Sequence, residues 1–274
     1  MDMLTPDPDF LHFASLRQIP GLHHAVTTRD GGVSEGAYAS LNLGYHVGDD
    51  AARVTENRRR LAAALGYNGS TLVAAQQVHG AGVHSVERLD QGRGAFDWQS
   101  AVPEMDALIV AHRQTPVLIL VADCAPLLLV DPVRRVLAVV HAGWRGAVAG
   151  VAAATLARMK TDFQTEARDV CAGIGPCLCV DCFEIGAEVA ALAARVAPGA
   201  VIVNAAITDA AVVGGNKPHL DLQAVLQSDL ARAGVAAEGV EVLADCPRYR
   251  QQRFFSHRGQ GTVAGRFGLV AWWE

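Results

Sequence analysis

The sequence predicts an α+β fold, a mixed β-sheet core flanked by helices. Three observations carry this. Apolar runs of strand length are interspersed with helical-period segments, without the regular alternation that builds a doubly wound parallel sheet. At least one pair of runs reads as a β-hairpin, which requires antiparallel neighbours. The chain has 274 residues, 51% apolar and 19% charged, with no repeat, low-complexity tract or Pro/Ser-rich linker, so one core over 1–274 is expected.

Met1 to Phe10 is acidic and lacks a basic stretch leading into an apolar run. It does not read as a signal peptide, and a cytoplasmic protein with reduced cysteines is expected. Next comes a short strand and a glycine turn, Thr27-Thr28-Arg29-Asp30-Gly31-Gly32-Val33-Ser34, followed by Ser40-Leu41-Asn42-Leu43-Gly44. Asp49-Asp50 caps a helix whose apolar face is Val54, Leu61 and Leu65 and which Gly66 stops. Strands are predicted at Ala107–Ala111, Val117–Ala122, Leu127–Val130, Arg135–Val140 and Val240–Ala244. Further helices are predicted at Ala147–Met159, Glu184–Val196 and Asp221–Ala233, the last ended by Gly234.

The formal net charge is −5, and the densest basic run, Arg58-Arg59-Arg60, falls inside a helical pattern. Nucleic acid and anionic membrane are therefore not expected as partners. The longest apolar runs, Val117–Ala122 and Leu127–Val130, are too short to span a bilayer.

The hairpin carries reactive groups. A turn over Asp131-Pro132-Val133-Arg134 makes Val130 face Arg135 and, counted outward, Cys124 face His141. Directly opposed Cβ atoms lie roughly 4.5–5.5 Å apart, close enough to share one metal ion or one proton. A one-residue slip would turn one of the two to the other face, and Pro126 is expected to interrupt the ladder.

Three segments place reactive side chains at the ends of apolar runs: Gln76-Gln77-Val78-His79-Gly80, Val121-Ala122-Asp123-Cys124-Ala125-Pro126 and His141-Ala142-Gly143-Trp144-Arg145-Gly146. One thiolate and two imidazoles suit zinc in a three-ligand site with an open fourth position. The same residues also fit a plainer reading, two satisfied core histidines and a buried small thiol, and spacing leaves both open. In Gly143-Trp144-Arg145-Gly146, small residues allow close backbone approach to a ligand, and Arg145 offers a planar donor for phosphate or carboxylate. Cys171, Cys177, Cys179 and Cys182 fall within one short stretch, but their spacing fits no pair of zinc knuckles. These four are expected not to bind a metal jointly.

Taken together, Thr28-Arg29-x-Gly31-Gly32-Val33-Ser34, Ser40-Leu41-Asn42-Leu43-Gly44, Gln77-Val78-His79-Gly80, Ala122-Asp123-Cys124, His141-Ala142-Gly143-Trp144-Arg145-Gly146, Gly175-Pro176 followed by Phe183-Glu184, and Phe254-Phe255-Ser256 make the chain resemble the YfiH family. Its members are also called laccase-domain or polyphenol-oxidase-like proteins and are regarded as purine nucleoside phosphorylases. The resemblance implies zinc on His79, Cys124 and His141, and a fold shared with the deamidase domain of cytotoxic necrotizing toxins. It departs at Leu226, at Cys246-Pro247 and at Gly259-Gln260.

The activities implied are phosphorolysis of adenosine, inosine, guanosine and methylthioadenosine, and deamination of adenosine. The expected partners are a purine nucleoside and phosphate, in a monomer or small homo-oligomer. Arg29 and Arg145 are the candidates for holding phosphate. Gln77 and Asp123 are candidates for orienting a metal-bound histidine or water, and Asn42 matters if it faces the site. A rival reading is a metal-free thiol hydrolase, such as a peptidoglycan-precursor editing factor, with Cys124 as nucleophile and His141 as base. A copper polyphenol oxidase fits less well, because multicopper sites use H-x-H pairs and none of the ten histidines forms one.

Overall fold

The computed structural model describes residues 7–203 and 217–274, so the first six residues of the acidic N-terminal segment lie outside the described part. The strands are β1 (Phe10–Leu11), β2 (Leu22–Thr27), β3 (Val73–Ala74), β4 (Val83–Ser85), β5 (Ala107–Val110), β6 (Val117–Val121), β7 (Ala125–Asp131), β8 (Val136–Ala142), β9 (Cys171–Ile174), β10 (Val201–Ile202), β11 (His219–Leu220), β12 (Val240–Val242) and β13 (Phe267–Trp273). The helices are α1 (Ala51–Leu65), α2 (Trp144–Val148), α3 (Val151–Phe163), α4 (Ala187–Val196), α5 (Leu222–Arg232) and α6 (His257–Gln260).

Two mixed sheets face each other. One runs β1-β2-β13-β6-β3 and the other β12-β9-β7-β8-β5-β4. Leu128 and Val130 of β7 and Leu137 and Val139 of β8 share a core with Ile119 of β6 and Leu269 of β13, between the sheets. The alternate residues Leu127, Leu129, Ala138 and Val140 pack instead with Val151, Leu156, Val225 and Leu230 of α3 and α5. On the opposite outer face, Leu118, Leu120 and Val270 pack with Leu61 of α1 and with Leu41 and Leu43. The result is helix on sheet on sheet on helix. Because both faces of the central strands are covered, they read as continuous apolar runs rather than alternating ones.

The hairpin differs from its predicted register. Val130 pairs with Leu137 and Asp131 with Val136, so the loop is 132–135 and Pro126, not Cys124, stands opposite His141. The cause is local. The Asp131 carboxylate accepts the Val133 and Arg134 N–H groups at 2.9 and 3.0 Å, and Arg135 takes a left-handed φ of 56°. The shift is by two residues, and since side chains alternate with a period of two, His141 keeps its face. Nor does Pro126 interrupt the ladder. It pairs with His141, and its carbonyl accepts the Gly175 N–H at 2.8 Å where β9 ends.

The helix predicted over Ala147–Met159 is two helices. Gly150, at φ 79°, separates α2 from α3, and Asp229 of α5 accepts the Ala153 N–H at 3.1 Å in place of a cap from α3 itself. The other helices start close to prediction, with Asp50 and Asp221 as side-chain N-caps.

The N-terminal motif loops are fastened by α1. Buried Asn57 accepts the Val33 N–H at 2.7 Å and donates to Ser34 Oγ (2.9 Å), Ser40 O (3.1 Å) and Asn42 O (2.8 Å). Arg58, also buried, donates to Leu43 O at 2.9 Å and Ala95 O at 3.0 Å. The basic run is thus partly structural rather than a surface patch. Replacing Asn57 by Leu strands an N–H and several carbonyls in the interior, at roughly 1–3 kcal/mol for each unsatisfied group. Asn57→Leu is expected to lower unfolding free energy by about 3 kcal/mol in urea titration. A loss below about 1 kcal/mol would show that these loops do not depend on it.

Candidate metal centre

The site forms at one end of the sandwich, where two chain segments cross between sheets. Residues 122–124 carry the chain from β6 to β7, and residues 75–82 carry it from β3 to β4. The first crossing is sharp enough that Asp123 adopts φ 91°, and the second puts His79 at φ 62°. Between them ends β8, with His141 as its penultimate residue.

One buried carboxylate organises the three. Asp106, which immediately precedes β5, accepts the His79 N–H at 2.9 Å and the Gly80 N–H at 2.7 Å, with the Val78 N–H at 3.4 Å. Its Oδ1 also lies 2.7 Å from His141 Nδ1, and its own carbonyl accepts the His141 N–H at 2.7 Å. Nδ1–H donation to Asp106 leaves His141 Nε2 as the free donor atom. Burial pushes the Asp106 carboxyl up, but the His141, Gly80 and His79 hydrogen bonds outweigh it and hold it below the usual carboxylate range.

His79, Cys124 and His141 each offer one ligand atom, and these atoms lie within 4.8 Å of one another. The two rings meet edge to face at 4.7 Å. Ligand bonds of about 2.0–2.3 Å put the donors of one tetrahedral ion about 3.3–3.8 Å apart, so small side-chain adjustments would close the set on a single ion. His141 is buried, Cys124 half-buried and His79 exposed, which leaves one side of the cluster open. Burial would raise the Cys124 thiol, yet His141 and His79 bring it down to about 6. Burial would lower His141, yet Cys124 and Asp106 hold it up at about 9. The pair therefore favours thiolate beside imidazolium at neutral pH, and a cation that replaces the ring proton meets a ready anionic sulfur.

The glycines of the β8–α2 turn serve this cluster more directly than they serve an anion. A Cβ on Gly143 would lie 3.0 Å from both Cys124 Sγ and His79 Cδ2, and one on Gly146 would lie 2.6 Å from Gly80 O. The close approach expected of the motif is to the protein's own ligands.

The remaining predicted residues divide. Gln77 lines the cavity, but its amide donates to Leu120 O at 2.7 Å and accepts the Leu120 N–H at 2.8 Å. It extends the pairing of β3 with β6 and holds the loop that bears His79, rather than orienting a histidine ring. Asp123 also lines the cavity. It accepts the Ser256 hydroxyl at 2.6 Å and the Arg258 N–H at 2.5 Å, and burial pushes its carboxyl up against those bonds. Histidine orientation, expected of these two, falls to Asp106. Arg29 donates to Ala39 O at 2.6 Å and Gln251 O at 2.7 Å and stacks over Phe255. It is not among the residues lining the cavity, so a phosphate role has no geometric support. Asn42 is fully buried and also outside the lining, accepting the Gly44 and Arg266 N–H groups at 3.0 and 2.8 Å. Arg145 does line it, exposed, its guanidinium 4.3 Å from the Trp144 ring centroid.

The cavity measures about 390 Å³ and joins the cluster to apolar Leu178, Phe183 and Leu222. It also exposes groups that the sequence reading missed: His46, His257, Arg258 and Arg266. Burial, with Arg266 and Arg58 nearby, pulls His46 down to about 4, so it is neutral at neutral pH. Arg266 donates to Ala264 O and Gly265 O at 2.7 and 3.0 Å. Among the described residues, Arg145, Arg258 and Arg266 form no ion pair with a carboxylate. Asp106 did carry a sequence signal, a single acid abutting a buried apolar strand. Arg258 and Arg266 carried none, since their segments meet the site only in three dimensions.

Residues 23–274 match the family described as multi-copper polyphenol oxidoreductase laccase. The chain belongs to this family. It is 33% identical over 242 residues to a protein named purine nucleoside phosphorylase YlmD of Geobacillus stearothermophilus, covering 88% of this chain and 86% of that one. The crystal structure of YlmD superposes with a TM-score of 0.88, covering 98% and 100% of the two chains at 30% identity. A protein named adenosine deaminase RL5, from an unknown prokaryotic organism, is 33% identical over 252 residues, 91% of this chain and 93% of its own. The crystal structure of YfiH from Bacillus licheniformis also superposes with a TM-score of 0.88, at 27% identity over 100% and 98% of the chains.

The laccase family's description names copper, and a set of two imidazoles and one thiolate accepts copper or zinc alike. A multicopper centre needs more histidines. Here the cavity adds His46 and His257, and neither belongs to the three-residue cluster. The donor set fits one ion.

Asp106→Asn keeps the side-chain shape but removes the charge opposite His141. Loss of such a partner typically weakens metal binding about 10–100-fold. Competition against a chromophoric chelator should show a fall of that size; unchanged affinity would mean that Asp106 only fastens the loop.

Proposed function

We propose that this protein is a zinc-dependent purine nucleoside enzyme whose principal reaction is phosphorolysis. The observation that carries the reading is the pairing, in one cavity, of a three-donor His/Cys cluster with arginines that, among the described residues, form no ion pair with a carboxylate. The names of the relatives, purine nucleoside phosphorylase and adenosine deaminase, supply the substrate class.

His79, Cys124 and His141 would hold the ion, and when bound it supplies Lewis-acid polarisation at an open fourth position. The chain's own groups account for the rest. Arg145 and Arg258, both exposed, and half-buried Arg266 line the cavity and form a cationic surface for phosphate. In phosphorolysis a phosphate oxygen bonds to the ribose C1′ as the C1′–N9 bond breaks. The purine leaves with the bonding electron pair and takes up a proton. Phe183, Leu178 and Leu222 offer apolar surface for the base, and neutral His46 offers one ring donor and one acceptor to a sugar hydroxyl or purine edge.

A second reading rests on a specific arrangement. Asp106, His141 and Cys124 stand in the order carboxylate, imidazole, thiol, with 2.7 Å between the first two, the geometry of a thiol hydrolase. That chemistry has no need of His79.

Two outcomes are expected. Purified enzyme should release free base from adenosine or inosine only with phosphate, and Arg145→Ala should raise the phosphate KM about 10–100-fold, as loss of a charge-assisted contact does. Unchanged phosphate KM would exclude Arg145 from the anion site, and inosine with ammonia as the sole products from adenosine would favour deamination. Separately, His79→Ala and chelation should each abolish turnover, while zinc restores the chelated wild type and shields Cys124 from iodoacetamide. Full turnover in metal-free protein would replace the zinc enzyme by the thiol hydrolase.

A further inference from the structure

A second group of thiols lies outside this centre. Cys179, Cys182 and Cys246 bring their sulfur atoms within 4.8 Å of one another, although Cys246 is 64 residues beyond Cys182. Cys171 and Cys177, their neighbours in sequence, are not part of it. Cys171 instead pairs across from Val130 in β9.

Topology explains the meeting. β9 and β12 are adjacent and parallel, with Ile174 opposite Val242, so the loops leaving their C-terminal ends start side by side. The first loop turns tightly at 179–182, where the Cys182 N–H donates to Cys179 O at 3.0 Å. This is a C-x-x-C closed by one turn, the half-site that zinc knuckles use. The second loop brings Cys246 in from the opposite side. Its sulfur accepts the Cys179 N–H at 3.4 Å, together with the N–H groups of Arg248 and Tyr249. The Tyr249 side chain also hydrogen-bonds to Cys182. The Cys246 sulfur, with three N–H groups directed at it, is placed as an acceptor, as a metal-bound thiolate is, and the Cys179 side chain already hydrogen-bonds to it. A disulfide would use two of the three sulfurs and leave the third without a role.

We propose that Cys179, Cys182 and Cys246 bind a second, structural metal ion of the soft, thiolate-seeking class represented by zinc. Cys182 and Cys246 are buried and Cys179 is half-buried, so a solvent molecule completes the fourth position from the Cys179 side. The ion ties the cavity-lining segment of Leu178 and Phe183 to the loop that follows β12. Leu178 and Phe183 flank the cysteine turn and line the cavity, and the Cys182 carbonyl accepts Arg258 at 3.3 Å. Removing the ion would loosen the wall that carries Arg258 without touching the His79–Cys124–His141 cluster. This site is independent of which reaction the first one performs.

The test uses the double variant His79→Ala/Cys124→Ala, which disables the first cluster. It should still carry one equivalent of zinc by elemental analysis. Exchanged into cobalt(II), it should show a thiolate-to-metal charge-transfer band, and with Cys124 absent that band must come from other cysteines. Adding Cys246→Ser should abolish both metal and band, while Cys171→Ser should change neither. Should the Cys246 variant fail to fold, Cys179→Ser at the half-exposed position serves instead. It should bind no second ion, and its Tm should no longer rise when zinc is added. A double variant that carries no metal would overturn the proposal. So would an intact mass, after anaerobic purification, lighter by two hydrogens, since that would show a disulfide in the cluster.

Discussion

The site depends on the carboxylate of Asp106. It lies where β5 begins, fully buried, and binds two things at once: the backbone of the His79 loop and the ring of His141. A buried anion is tolerable only when several donors surround it, and here the donors come from exactly those segments that must converge. The same contacts fix the His141 tautomer and, through the protonated ring, favour the Cys124 thiolate. Loop position, ring orientation and thiol ionisation are one coupled arrangement rather than three.

Placement at the end of the sandwich follows from connectivity. Central strands covered on both faces have no room for polar ligands along their length, so reactive groups collect where strands end. Two connections cross between sheets at the same end, residues 122–124 and 75–82, and each uses a left-handed residue to do so, Asp123 and His79. The Gly143 and Gly146 backbone fits against them because no Cβ intervenes. Helix α6, bearing Arg258, and the loop bearing Arg266 then line the cavity from the C-terminal part of the chain, held by Asp123 and Asn42. Several of the family-like motifs thus turn out to position catalytic candidates through backbone contacts instead of presenting side chains themselves.

The family's copper-oxidase description and the nucleoside enzymes named among its relatives ask different things of the same donors. Two imidazoles and a thiolate do not by themselves choose between them. The proposed phosphorolysis rests on the surroundings: Arg145, Arg258 and Arg266, which among the described residues form no ion pair with a carboxylate, lie beside an apolar wall.

Much was legible in the sequence. Strand runs such as Val117–Val121 and the capped helix from Asp50 to Gly66 are local matters of apolar run length and backbone caps, and local rules decide them. His79, Cys124 and His141 stood out because each ends an apolar run, although spacing alone could not separate ligands from core residues. Tertiary structure decided what depends on distant partners. The hairpin register slipped by two through the Asp131 turn, and the helix predicted from Ala147 broke at Gly150, where α5 provides the cap. Arg29 and Asn42 went to backbone fastening and Asp106 to holding the His79 loop and the His141 ring, while His46, Arg258 and Arg266 reached the cavity from separate segments. Periodicity reports which face of an element is buried; it says nothing about which loops meet at a sandwich end, because that is set by strand order and by where the chain crosses between sheets.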